Sequence, residues 1–196
     1  RIGAQSPLSR NFQMSFLGPL LARPDAPLVL RSGGAGPLLE ALRKLELDVV
    51  LATQPPETDA TDLLSQKIAE QEVKLHGTAA LIGQASLEEL LQTRAVVLPS
   101  ESEIRTGFMA LCARRNIEPQ IAADVDDMAM VRLLAREGVG LAVAPSVVVA
   151  DELNSKRLVT PPHRLGITER FFALTLRRDY PHPEIGPLLD AADLSS

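Results

Sequence analysis

Two stretches of the chain share one pattern of hydrophobic and polar positions. Residues 36–45 place Leu38, Leu39, Leu42 and Leu45 on one helical face, and a short break leads into the apolar run Leu47-Asp48-Val49-Val50-Leu51. Residues 126–137 carry Met128, Val131 and Leu134 at the same spacing. There Gly138-Val139-Gly140 opens the run Leu141-Ala142-Val143-Ala144, which stops at Pro145-Ser146. Each pattern predicts a helix, a break and a buried strand.

Around the first pattern, residues 1–4 and 28–30 predict two more strands, the second buried and ending at Ser32-Gly33-Gly34. A β-α-β-α-β unit is then complete by residue 52, with parallel strands and right-handed connections. Phe16, Leu17, Leu20 and Leu21 form the apolar face of its first helix, which Pro19 delays or kinks. Pro24-Asp25-Ala26-Pro27 reads as a turn and residues 54–62 as a loop. Around the second pattern, Ser86 to Glu89 has the capping-box spacing that opens a helix, and residues 95–98 form a strand. A second such box, Ser100 to Glu103, opens a helix to about residue 115. A strand at 120–123, a helix capped by Asp126 and helical residues within 146–153 complete a second unit.

Residues 68–81 and 169–178 are extended in pattern and flank that second unit. If both cross between units, one lobe is inserted in the other: lobe I is 1–72 with 165–196, and lobe II is 73–164. Residues 183–194 return to lobe I as a helix, with Pro183 in its first turn and Ile185, Leu188 and Leu189 on one face. Two α/β lobes follow. Open sheets of this kind bind ligands at the carboxyl ends of their strands, so the ends after Leu51 and Ala144 are expected to face one cleft.

The 196 residues, 45 % hydrophobic, are enough for a buried core and exclude a disordered chain. No apolar stretch approaches the roughly 20 residues of a membrane span. A net charge of −5 with scattered Lys and Arg argues against nucleic-acid binding by this segment itself. The single cysteine, Cys112, falls on an apolar helix face with Ile104, Phe108 and Leu111, which favours packing and a reducing, cytoplasmic setting. The opening Arg1-Ile2-Gly3-Ala4 reads as a strand already under way, without a signal peptide, as in a piece of a longer protein.

Strand-to-helix junctions present free N–H groups and the positive end of a helix, which suit carboxylates and other anions. The candidate ligand-binding residues are Gln5, Ser6, Ser32, Gly33, Thr53, Gln54, Ser100, Ser102, Asp126, Pro145 and Ser146. For Ser100 helix capping and ligand contact both stay open, while Ser6 and Ser146 are assigned to the ligand. Asp126 with Asp127 invites a cation site, but helix capping by Asp126 is the better reading. Arg105 is suited to an effector carboxylate or to solvent. His76, His163 and His182 lie in extended or Pro-flanked segments without an obvious partner, and no HExxH, G-x-S-x-G or Walker A pattern occurs. No catalytic residue, metal or cofactor is implied. The Gly-rich 32–36 lacks dinucleotide spacing and reads as a turn.

The order of elements resembles the effector-binding domain of LysR-type transcriptional regulators, carried by Leu42 with Leu47-Asp48-Val49-Val50-Leu51, by Gly138-Val139-Gly140, by Ala144-Pro145 and by Arg177-Arg178. Finer features are similar to the branch that activates sodium/proton antiporter genes: Gln54-Pro55 after Ala52, Leu98-Pro99 with Arg105, Asp126-Asp127 and Ala144-Pro145-Ser146. Two departures are Glu46, where the family usually has Gly, and the missing aromatic between Arg23 and Pro24. The resemblance implies two Rossmann-like lobes joined by two crossover strands, as in type 2 periplasmic-binding proteins, with a small-molecule or ion effector between them. It also implies a homodimer, a tetramer being open for the full-length protein, with contacts at Phe16, Leu17 and Leu20 and along the helix of 105–115. DNA binding would belong to an N-terminal winged helix-turn-helix absent from this chain. The alternative is a transport solute-binding protein with the same cleft chemistry.

Overall fold

A computed structural model describes residues 1–6, 8–23, 25, 27–56, 60–100, 102–180 and 182–193, the side chains of the last two apart. The expected turn at 24–27, the middle of the 54–62 loop and Leu194 fall wholly or partly outside these residues. In chain order the elements are β1 (Ile2–Gln5), α1 (Arg10–Leu21), β2 (Leu30–Gly33), α2 (Ala35–Arg43), β3 (Val49–Ala52) and a long β4 (Leu63–His76). Then come α3 (Ala79–Ile82), α4 (Leu87–Thr93), β5 (Val96–Pro99), α5 (Glu103–Arg114), β6 (Ile121–Val125), α6 (Met128–Arg136) and β7 (Leu141–Pro145). A 3-10 turn (Ser146–Val149), α7 (Ala150–Asn154), β8 (Thr168–Leu176) and α8 (Ile185–Asp193) close the chain.

The chain divides into two compact units: Arg1–Leu8, Phe12–Glu70 and Arg170–Ser196 form the first, and Ser9–Asn11 with Gln71–Glu169 the second. In the first, the strand order is β2-β1-β3-β8, with β1 parallel to β2 and β3, and β8 antiparallel to β3. Val49, Val50, Leu51 and Ala52 are all buried because helices cover this strand, as its unbroken apolar run requires. Leu38, Leu42, Leu47, Leu63 and Leu174 pack around it, each fully buried Leu contributing about 1.5–3 kcal/mol.

Three readings of this unit need correction. The strand expected buried at 28–30 is the edge strand Leu30–Gly33, half of whose Leu30 surface stays in solvent, since an edge has a neighbour on one side only. The first helix is not delayed: it starts at Arg10 and carries Pro19 inside it, at the cost of one backbone hydrogen bond. Its buried face is Phe12, Phe16, Leu17 and Leu20, while Leu21 is exposed. Phe16, Leu17 and Leu20 therefore serve the unit's own packing, Phe16 and Phe171 both stacking on Phe12, and are not available for a dimer contact.

The second unit orders its strands β4-β7-β5-β6, with β5 parallel to both β6 and β7 and β4 antiparallel to β7. Val96 to Leu98 and Leu141 to Ala144 are wholly buried among Leu90, Leu91, Ile104, Phe108 and Val131. Cys112 packs in this core, and burial pushes its thiol up. The extended stretch expected at 68–81 begins earlier, at Leu63, and stops at His76, because Thr78 accepts from Leu81 N and starts α3.

The break between helix and strand is the same device in both units. After α2 the Leu45 N–H donates to Leu42 O and the Glu46 N–H to Ala41 O, with Leu45 at φ 61°. After α6 the Gly138 N–H donates to Ala135 O and the Val139 N–H to Leu134 O, with Gly138 at φ 74°. Each is a Schellman close, and the chain leaves it directly into the central strand. Gly140 then passes so near β5 that a Cβ there would lie 2.8 Å from Ala95 O.

Candidate functional site

In the first unit, three parallel strands end together. Gln5 pairs with Gly33 at the end of β1, Ser6 N donates to Gly33 O at 3.0 Å, and Gln5 Oε1 accepts from Thr53 N at 3.2 Å. These bonds bring Gln5, Ser6, Ser32, Gly33 and Thr53 onto one edge of the sheet, where Ser32 is exposed and the others are half-buried. Gln5 and the exposed Gln54 line a cavity of about 510 Å3 with Ala35, Gly36, Arg43 and Asp62. Arg43 Nε donates to Asp62 at 2.8 Å on its wall.

Helix α2 begins at this cavity behind Gly34, which has no side chain to cap it. The first-turn amides of an α-helix have no partner within the helix. Ala35 and Gly36 therefore bring donors and a partial positive charge to the wall, while Pro37 has no N–H to add.

The strand ends of the second unit are polar too, but more of their groups are spoken for. Ser100 N donates to Val125 O at 2.7 Å, and Ser100 Oγ donates to Asp124 Oδ1 at 2.5 Å. Arg105 pairs with the other oxygen of Asp124 at 2.7 Å. Ser100 thus does not cap α5. That role falls to Ser102, whose Oγ accepts from Arg105 N at 3.1 Å and donates to Pro99 O at 3.2 Å. The cap expected of Asp126 is made by its neighbour: Asp127 accepts from Ala129 N at 2.8 Å, and Asp126 is exposed. Pro145 is buried at the end of β7, and Ser146 is half-buried at the start of the 3-10 turn.

The structure also supplies partners that the linear pattern hid. His76 is fully buried, its Nε2 at 3.1 Å from Ala144 O and its Nδ1 at 2.7 Å from Thr160 Oγ1. A carbonyl only accepts, so Nε2 carries the proton and Nδ1 accepts from the Thr160 hydroxyl. Burial pulls this imidazole down to about 4, so it is a neutral strut behind β7. His163 Nε2 reaches Ala85 O at 2.9 Å, and His182 Nδ1 accepts from Glu184 N. Glu169 is 6 % exposed. Burial, then the charge of Glu103, pushes its carboxyl up to about 8. Among the described residues no group of three or more His, Cys, Asp and Glu is disposed to hold a metal ion, and no helix is long and apolar enough to cross a membrane.

Comparison with known proteins supplies the family. The model of the LysR substrate binding domain matches residues 1–193. Among curated proteins none matches significantly. The bromide-bound regulatory domain of HypT from Salmonella typhimurium is 12 % identical with a TM-score of 0.77, over 100 % of this chain and 95 % of that one. The cofactor-binding domain of the Cbl transcriptional regulator is 14 % identical with a TM-score of 0.78, over 100 % and 87 %. The Synechocystis CcmR regulatory domain, in complex with 2-PG, is 16 % identical with a TM-score of 0.73, over 100 % and 95 %. At these identities the structures show a shared fold, the mixed α/β, type 2 periplasmic-binding-protein-like class expected from the sequence. The family is one of transcription-regulator domains and not of enzymes or transport proteins. The chain belongs to the LysR substrate-binding domain family and is the effector-sensing regulatory domain of a LysR-type transcriptional regulator.

Proposed function

We propose that this domain is switched by a small polar effector held by hydrogen bonds at the carboxyl ends of its parallel strands. The observation that carries the reading is the α2 start: first-turn amides without a side-chain cap from Gly34, beside Gln5 and Gln54 on one cavity. Ser6, Ser32, Gly33 and Thr53 supply further polar groups in the first unit, and Ser100, Ser102, Asp126, Pro145 and Ser146 belong to the strand ends of the second. The first-turn amides and the hydroxyls of the first unit can donate, which suits an effector bearing a carboxylate or another anion. The HypT regulatory domain takes a bromide ion, a ligand of that charge. Lobes of 1–72 with 165–196 and of 73–164 are the working division, supported by the two compact units.

An effector acts only through a difference in affinity between two arrangements of the protein. In this reading it alters how a cytoplasmic homodimer presents N-terminal winged helix-turn-helix heads to DNA. The branch that activates sodium/proton antiporter genes is the finer assignment, supported by Gln54-Pro55, Leu98-Pro99 with Arg105, and Asp126-Asp127. A thermal-shift screen of small carboxylates, aromatic acids and monovalent ions identifies a binder. Ser6→Ala and Ser146→Ala are then each expected to weaken its affinity by about 2- to 10-fold, the worth of one hydrogen bond. Unchanged affinity in both variants removes the site assignment.

A further inference from the structure

A second cavity of the first unit lies at the opposite end of its parallel strands from the strand-end site. It holds about 340 Å3, within the span of small-ligand cavities, roughly 300–1,000 Å3. Arg1 and Ile2 stand there at the start of β1, and Asp48 and Val49 at the start of β3. Leu20 and Arg23 come from the end of α1, Leu28 from the approach to β2, and Glu184, Ile185 and Leu188 from the start of α8. Ile2, Leu20, Val49 and Leu188 are buried, and Leu28 and Ile185 are half-buried. The depth of the cavity is therefore aliphatic.

Charged residues line the same cavity in two groups. Arg1 matches Asp48 one to one, its Nε donating to Oδ2 at 3.0 Å and its Nη2 to Oδ1 at 2.9 Å. Arg23 is shared. Its Nη2 donates to Asp25 Oδ2 at 3.3 Å, and its Nη1 donates to Glu184 Oε2. Two carboxylates on one guanidinium leave one negative charge unmatched, and each keeps a second oxygen that Arg23 does not use. His182 also lines the cavity, and its Nδ1, receiving the Glu184 N–H, carries no proton. An anion would have to displace one of the carboxylates from Arg23. A simple metal cation would meet the charge and gain nothing from the aliphatic depth. A neutral apolar molecule would fill that depth and leave the charge unmatched. An ammonium group on an apolar body answers both, with several N–H donors for carboxylate oxygens.

We propose that this cavity binds a small organic ammonium ion, its body against Ile2, Leu20, Val49 and Leu188 and its charge at Asp25 and Glu184. The proposal does not depend on the strand-end site. The probe is isopentylamine, cationic at neutral pH, and the methyl resonances of Ile2, Leu20 and Leu188 in the 196-residue chain report on it. The terminal amine, 3.1 Å from Asp48 Oδ2, is acetylated so that it adds no charge. A saturable shift is expected, with the neutral isostere isopentanol binding about 2- to 5-fold more weakly, the worth of an exposed ion pair. Asp25→Asn and Glu184→Gln are each expected to weaken isopentylamine by a similar factor and to leave isopentanol unchanged. Asp25 is exposed, so its variant keeps the test open should Glu184→Gln disturb α8. Absence of a saturable shift overturns the proposal. So does a shift that sodium chloride reproduces, equal or tighter binding of isopentanol or isovalerate, or amine affinity unchanged in both variants. Isopentylamine affinity is expected to persist in Ser6→Ala, so this site and the strand-end site can each fail without the other.

Discussion

At the residue scale, two buried ionisable groups in the second unit pull stability in opposite directions with pH. Glu169 holds its proton up to about 8 when folded, against 4.5 for an exposed glutamate. The folded state therefore binds more protons between those values, and stability falls as pH rises from 4.5 to 8, by at most about 1.4 kcal/mol per pH unit. His76 stays neutral down to about 4, against 6.5 when exposed. Its contribution is present above 6.5 and lost as pH falls through 4. The slopes oppose each other over the acid part of the range, and above 6.5 only Glu169 acts. Urea midpoints are expected to decline from pH 6.5 to 8, and Glu169→Gln to flatten that decline. A decline of equal slope in the variant would assign it to other groups. Neither role was legible in the sequence. The partners of His76 stand 68 and 84 positions away, and the charge that acts on Glu169 is that of Glu103, far back in the chain.

Among elements, the helix-break-strand pattern owes its sharpness to the Schellman close, and its two copies differ in how well the sequence suits it. Gly138 takes the left-handed position at no steric cost, whereas Leu45 takes it with a side chain. Such a residue costs about 1–2 kcal/mol. Leu45→Gly is accordingly expected to raise stability by up to about 1 kcal/mol, since Leu45 is exposed and loses little packing. Glu46, where the family usually has glycine, is not the position that needs one here, because the turn is made one residue earlier. Gly140→Ala is expected to act the other way. Its Cβ would meet the backbone at Ala95 O, and a loss of more than about 1 kcal/mol in a denaturation curve is the expected reading. The capping boxes show the limit of pattern at this scale. Ser86 accepts from Glu89 N as its spacing predicts, but Ser100 turns to Asp124 and leaves α5 to Ser102. Spacing marked Ser100, whose hydroxyl the neighbouring strand takes up through Asp124, and the cap falls to Ser102, which no box spacing marks.

For the whole molecule, the expected homodimer needs a surface that the unit cores do not consume. On α1 the exposed apolar side chains are Met14, at 56 %, and Leu21. Light scattering on the eluted chain is expected to report a dimer, and Met14→Asp to shift it toward monomer without changing far-UV circular dichroism. A monomer at high concentration in the unsubstituted chain would remove the dimer. The sequence by itself determined the two α/β patterns, the central buried strands and the junctions where polar groups gather, because hydrophobic periodicity and turn chemistry are local and each element carries its own. Tertiary structure alone decided that Leu30 lies on an edge, that Phe16, Leu17 and Leu20 face inward, and that Asp124 takes up Ser100 and Arg105. It also decided that Asn11 and Arg132 line one small cavity. Those outcomes depend on which strand neighbours which and on which distant side chain arrives first, and neither is written in the periodicity of any one segment.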